Sequence, residues 1–207
     1  MASTDDKLGG RLRLRSVSEL DAAQRDTYEI IERSIVPMAE RAGFRVRLDD
    51  GCLIGPFNAF LVSPQIGAAY LRLSAQEATE TSLDERVRQI VIMTIGAAWD
   101  APYELYAHTA AGRSTGFSED LLDALRAGRA PADISPREEI ARRFAQALSA
   151  SRGIEADLYA QARDAFGDKG LVDLAFLVGS YLFTSAVLNA FEVPAPLGDI
   201  AEISVAT

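Results

Sequence analysis

Residues 82–116, SLDERVRQIVIMTIGAAWDAPYELYAHTAAGRSTG, decide how the whole chain is read. Ser82 and Glu85 have the spacing of a capping box, in which a serine side chain and a glutamate satisfy each other's free amides at a helix start. Val87, Ile90, Val91, Ile95 and Ala98 then recur every three or four residues, the period of one apolar helical face. Pro102 suits the first turn of a second helix, taken over 100–115, and Gly116 suits its left-handed end. The core of the molecule is therefore expected to be helix packed on helix.

The same signals extend outward in both directions. Ser18 is placed to cap a helix over 19–41, which Pro37 should kink or split and Gly43 should end. Between 44 and 56, Val46 and Leu48 alternate with charged residues before an Asp50-Gly51 turn, which needs only a short extended loop. Helix resumes over 58–80 with a break at Ser63-Pro64 and with Ile66, Tyr70 and Leu73 on one face. Ser118 caps 119–127, Gly128 stops it, and Ser135 to Glu138 form a second capping box with Pro136 at the first helical position. Helices over 155–166 and 171–191 follow, before Pro194 and Pro196. The expected fold is all-α: a flexible arm over 1–16, a single helical domain over 17–196 and a tail over 197–207.

Composition narrows the function classes. Of the 207 residues, 48% are hydrophobic and 25% charged, as in ordinary folded proteins. A net charge of −9 repels phosphate backbones and anionic lipid, so neither nucleic acid nor membrane is an expected partner. Arg11, Arg13 and Arg15 read as a loose arm rather than a binding patch. Cys52 is the only cysteine, which excludes an intramolecular disulfide, a CxxC redox pair and a multi-cysteine metal site. With no basic-then-apolar leader in view, a cytoplasmic location is expected. The apolar run 171–191 is long enough to span a bilayer, but Asp173, Ser180, Thr184, Ser185 and Asn189 interrupt it, so a buried or subunit-interface helix is expected.

The chemistry centres on His108, the only histidine. Glu104 lies one turn before it, so the two side chains project from one helix face and can meet. A carboxylate beside an imidazole fixes its tautomer and tunes its proton affinity. The spacing alone equally fits a surface ion pair or a satisfied buried histidine; the surrounding Trp99, Tyr103, Leu105 and Tyr106 favour a partly buried pair. No phosphate-binding loop or metal-ligand cluster is visible, so no cofactor and no metal are expected.

Tyr103-Glu104-Leu105-Tyr106-Ala107-His108, followed by Gly116-Phe117-Ser118 and the segment 121–128, resembles the carboxymuconolactone decarboxylase family, also called alkylhydroperoxidase D-like. Upstream, Gly55-Pro56-Phe57-Asn58-Ala59-Phe60 with Ser63-Pro64 also resembles its longer members, as does the downstream stretch from Gly179-Ser180-Tyr181 through Leu188-Asn189-Ala190-Phe191 to Pro194. The resemblance thus covers about 55–196. Two departures matter. The positions of the peroxidase branch's CxxC pair are Ala101 and Glu104, so a thiol peroxidase cycle lacks its resolving sulfur. Many members have a glutamate where this chain has Gln89, which can hydrogen-bond but not titrate.

The resemblance implies a cofactor-independent acid–base enzyme, a lyase acting on a small oxygenated acid or lactone. His108 would supply or relay the proton and Glu104 would orient it, while Gln89, Tyr106, Tyr181 and Arg113 would bind the small-molecule substrate. An isomerase, dehydratase or cyclase on the same scaffold, or a non-catalytic ligand-binding or assembly protein, are the alternatives. The resemblance also implies a homo-oligomer, a trimer or a hexamer.

Overall fold

The computed structural model describes residues 8–151 and 153–196 of the protein. Among these the chain forms α1 (Ala22–Ile30), α2 (Val36–Ala42), α3 (Pro56–Val62), α4 (Pro64–Glu80), α5 (Glu85–Ala98), α6 (Pro102–Ser114), α7 (Glu119–Arg126), α8 (Pro136–Ser151) and α9 (Ala156–Ala190). The expected all-α class holds. The extended loop over 44–56 carries a single antiparallel bridge between Arg47 and Leu53 and no strand.

Helix α5 is the centre of the molecule, and every residue from 87 to 96 is buried. One side packs with α8 and α9 through Val87, Val91, Ile95, Phe144, Leu174 and Leu177; another meets α7 through Ile90, Met93, Leu122 and Leu125. A second apolar layer is built from the N-terminal helices, the 44–54 loop, α3 and α6. Helix α6 is thus sandwiched, with one face on this layer and the other on α5, and that position creates the site described below.

Two helix starts differ from the expected ones. Asp21, not Ser18, caps α1: its Oδ1 accepts from the Gln24 amide at 2.9 Å while Gln24 Oε1 accepts from the Asp21 amide at 3.1 Å. Asp84, not Ser82, caps α5, accepting from the Val87 amide at 2.9 Å. A carboxylate at the positive end of a helix gains from the helix dipole as well as from the hydrogen bond, so it outcompetes a nearby hydroxyl. Ser82 instead donates to Asp173 at 2.7 Å and ties the α4–α5 connection to α9. The capping box of α8 is as expected, with the Ser135 amide donating to Glu138 at 2.7 Å and the Glu138 amide to Ser135 at 3.2 Å.

Pro37 splits its helix in a specific way. A π-helical turn over Ile31–Ile35 precedes α2, and the Val36 amide donates to Ile31 five residues back. Pro37 then falls in the first turn of α2, where its missing N–H is not needed. Gly55 marks the tightest approach: at φ 65° and ψ −148°, a Cβ there would lie 2.3 Å from the Tyr103 ring. Only glycine lets the 44–56 loop lie this close against α6.

Residues 8–16, expected to belong to a loose arm, are packed. Leu8 is buried, Arg11 pairs with Glu192, Arg13 pairs with Glu19 at 2.8 Å, and the Asn58 amide group donates to the Arg13 carbonyl at 3.3 Å. Residues 1–7 of that arm and the 197–207 tail lie outside the described residues.

Helix α9 spans both of the last two expected helices, with a break at Gly167, where φ is 66°. It is long and apolar enough to cross a membrane by length and composition. It buries Leu171, Leu174, Leu177, Val178 and Leu188 in the protein, while Val172, Phe176 and Phe183 stay exposed. Val62, and Ile66 and Leu73 of α4, are exposed as well, and Tyr70 joins the two surfaces by packing against Phe183 at 4.5 Å between ring centroids.

Candidate functional site

Two stripes divide α6. Tyr103, Tyr106, Ala107 and Ala110 recur at three- and four-residue spacing and bury into the N-terminal layer. Glu104 and His108 lie on another face, toward α5. Gly96 of α5 makes room for them, because a Cβ at that position would stand 3.3 Å from Glu104 Cγ. Glu104 is only 3% exposed, and His108 Nε2 lies 3.4 Å from Glu104 Oε1. That oxygen is fully buried and has no hydrogen-bond partner among the described residues.

The other imidazole nitrogen is held by α5. His108 Nδ1 is 2.8 Å from Gln89 Oε1, and Gln89 Nε2 donates to Glu85 Oε1 at 2.7 Å. Tyr181 of α9 stands edge-on to the imidazole at 5.1 Å between centroids and 84° between planes. Arg88, also on α5, is buried and pairs with the part-buried Glu77 of α4, with Glu85 3.5 Å away. The site is therefore the meeting point of four helices.

Burial decides the charge state of the pair. It raises the Glu104 carboxyl from 4.5 to about 8. It lowers the His108 imidazole from 6.5 to about 3, and the Arg88 guanidinium nearby adds to that shift. A neutral carboxylic acid beside a neutral imidazole is the resting form near pH 7. The Glu104 carboxyl then holds a proton next to an imidazole nitrogen, an arrangement suited to general acid–base chemistry.

The structure brings Glu104, His108, Gln89 and Tyr181 together, but not the other two residues expected at the site. Tyr106 lies two residues from His108, hence on another face of α6, and its hydroxyl accepts from the Arg45 amide at 2.8 Å within the N-terminal layer. Arg113 is half-exposed at the far end of α6 and donates twice to Glu119, at 2.6 and 2.9 Å. Gln89, expected to orient substrate, has its carbonyl at His108 and its amino group on Glu85 instead. Glu77, Glu85 and Arg88 were not foreseen. The i,i+4 spacing of Glu85 and Gln89 was visible in the sequence, whereas nothing in it linked Glu77 to Arg88.

Cys52 is buried, and burial together with its hydrogen bond to Asp50 pushes its thiol up to about 11. It is a packing thiol rather than a reactive one. A cleft of about 360 Å³ lies between α2 and the 44–51 loop and is lined by residues such as Val36, Ala39, Phe44 and Arg47. It includes neither member of the Glu104–His108 pair.

Comparison with known proteins places the chain. The sequence profile of the Carboxymuconolactone decarboxylase family matches residues 64–147, which contain Gln89, Glu104 and His108. No curated protein matches the chain. Among solved structures, an uncharacterized peroxidase-related protein from Silicibacter sp. TM1040 superposes with a TM-score of 0.72 at 19% identity, covering 95% of this chain and 96% of that one. An alkylhydroperoxidase AhpD core protein from Ralstonia eutropha JMP134, also peroxidase-related, gives 0.71 at 17% identity, with 92% and 94% covered. A debrominase in complex with 2,3,4-tribromopyrrole gives 0.66 at 15% identity, with 86% and 91% covered. At these identities the likeness establishes a shared fold.

Proposed function

We propose, from the premise that residues 64–147 belong to the carboxymuconolactone decarboxylase family, that this protein is a cofactor-independent acid–base enzyme of decarboxylase type acting on a small oxygenated acid or lactone. The observation that carries the reading is the pair of buried Glu104 and part-buried His108, whose carboxyl holds a proton near neutral pH and lies 3.4 Å from the imidazole. In such a reaction the bond between the substrate carbon and its carboxylate breaks, the electron pair passes into a dienolate, and carbon dioxide leaves. The pair delivers a proton to the carbon and is reprotonated by solvent, which balances the step. Arg88, buried beside His108, and Tyr181 supply the positive charge and the hydroxyl that suit a substrate carboxylate or a developing oxyanion.

Turnover in D2O tests this. A panel of small lactone acids should release carbon dioxide and give products carrying one solvent deuterium on a carbon of the former dienolate. Deuterium incorporation without carbon dioxide release would redirect the same proton carrier to an isomerase, dehydratase or cyclase. Neither signal from any substrate would leave a ligand-binding or assembly protein as the reading.

The proposal includes a homotrimer or homohexamer. Val172, Phe176 and Phe183 on α9, with Ile66 and Leu73 on α4, are large apolar side chains left uncovered in the single chain, and association would remove them from water. Sedimentation equilibrium is expected to give three or six chains per particle, and a monomer at micromolar concentration rules this part out.

A further inference from the structure

Gln89 has one end that only donates and one that only accepts, and both ends are engaged. A carboxylate only accepts, so Glu85 takes the amino end, at 2.7 Å. The carbonyl end is left for His108, and since a carbonyl also only accepts, Nδ1 must carry the hydrogen across the 2.8 Å contact. A neutral imidazole has a single N–H. Its Nε2 is therefore a bare lone pair, and it faces Glu104 Oε1 at 3.4 Å. A proton between Nε2 and that oxygen can only come from the Glu104 side.

We propose that Glu85, acting through Gln89, fixes the hydrogen of His108 on Nδ1 and so makes Glu104 the proton-donating member of the pair. Glu85 is a positioning residue: its side chain is 55% exposed and it touches no reacting atom. The other groups facing the imidazole do not impose a direction. Arg88 on α5 disfavours a positive ring in either tautomer and is itself engaged by Glu77 of α4. Tyr181 on α9 meets the ring edge-on, with no hydrogen bond to either nitrogen. Glu104, on the same helix, can serve as donor or acceptor according to its proton. The polarity of the whole chain of side chains is thus set at its water-facing end. This inference rests on the pair being the proton carrier, but its test reads the resting protein without substrate, so the two can fail separately.

His108 is the only histidine, so in protein labelled with 15N-histidine the two ring-nitrogen resonances belong to it alone. At pH 7 the hydrogen is expected on Nδ1. In Glu85→Lys the ammonium only donates, so Gln89 must turn its carbonyl toward residue 85 and its amino group toward Nδ1, moving the hydrogen to Nε2. In Glu85→Gln either orientation of Gln89 is satisfied, and both tautomers should be populated. A wild-type hydrogen on Nε2, or one that stays on Nδ1 in a folded Glu85→Lys protein, overturns the proposal. Should Glu85→Lys not fold, an unchanged Nδ1 population in Glu85→Gln overturns it.

Discussion

His108→Ala is expected to lower turnover of the substrate by about 10²- to 10⁴-fold, the usual contribution of a positioned general acid or base. The reason is that the imidazole, 3.4 Å from Glu104 Oε1, is placed to accept and return its proton. Without it the Glu104 carboxyl keeps its proton in a buried site, and delivery to a substrate carbon loses its relay. The fold should survive, because α6 is held by Tyr103, Tyr106, Ala107 and Ala110 on its other face. Removing the ring does leave Gln89 Oε1 without its partner, at a cost on the order of 1–3 kcal/mol. Far-UV circular dichroism should therefore match wild type while the rate collapses. A variant of full activity would remove His108 from the mechanism.

The second expected result is a plateau of stability between about pH 4.5 and 6.5, falling on both sides. The Glu104 carboxyl, raised to about 8, contributes stability that is fully present below its ordinary value of 4.5 and is lost as pH rises through 8. The His108 imidazole, lowered to about 3, contributes stability that is present above its ordinary value of 6.5 and is lost as pH falls through 3. Between 4.5 and 6.5 the unfolded chain has ionised both groups and the folded chain neither, so the two bind the same number of protons and the slope vanishes. From pH 6.5 to 8 only Glu104 differs, which amounts to about 2 kcal/mol at roughly 1.4 kcal/mol per pH unit. Glu104→Gln removes that alkaline fall: its stability should rise up to about pH 6.5 and then stay level to pH 8. Urea unfolding at one protein concentration and several pH values measures both curves. A wild-type curve that is flat from pH 6.5 to 8 would show that Glu104 is ionised in the folded protein.

The local signals named most of the helices correctly, because caps, prolines and left-handed glycines act within a few residues. Pro102, Ser118, Gly116 and the Ser135–Glu138 box all stand where short-range physics puts them. Two of the errors came where a local choice was decided by a distant partner. Ser82 lost its capping role to Asp84 because Asp173, on another helix, claims its hydroxyl. Residues 8–16 looked like a loose polar arm, yet Asn58 and Glu192 hold them down.

The site divides in the same way. That Glu104 and His108 share a face follows from a four-residue spacing and needed no coordinates. Whether that face meets water or protein depends on what packs on α6, and helical periodicity carries no information about that neighbour. Tertiary packing set the pair against α5, and burial, joined at His108 by the Arg88 guanidinium, neutralised both members. It also delivered Arg88, Gln89 and Tyr181 from two other helices. Spacing along one helix determined which side chains could meet; only the burial, charge and hydrogen bonds brought by the other helices decided where their proton rests.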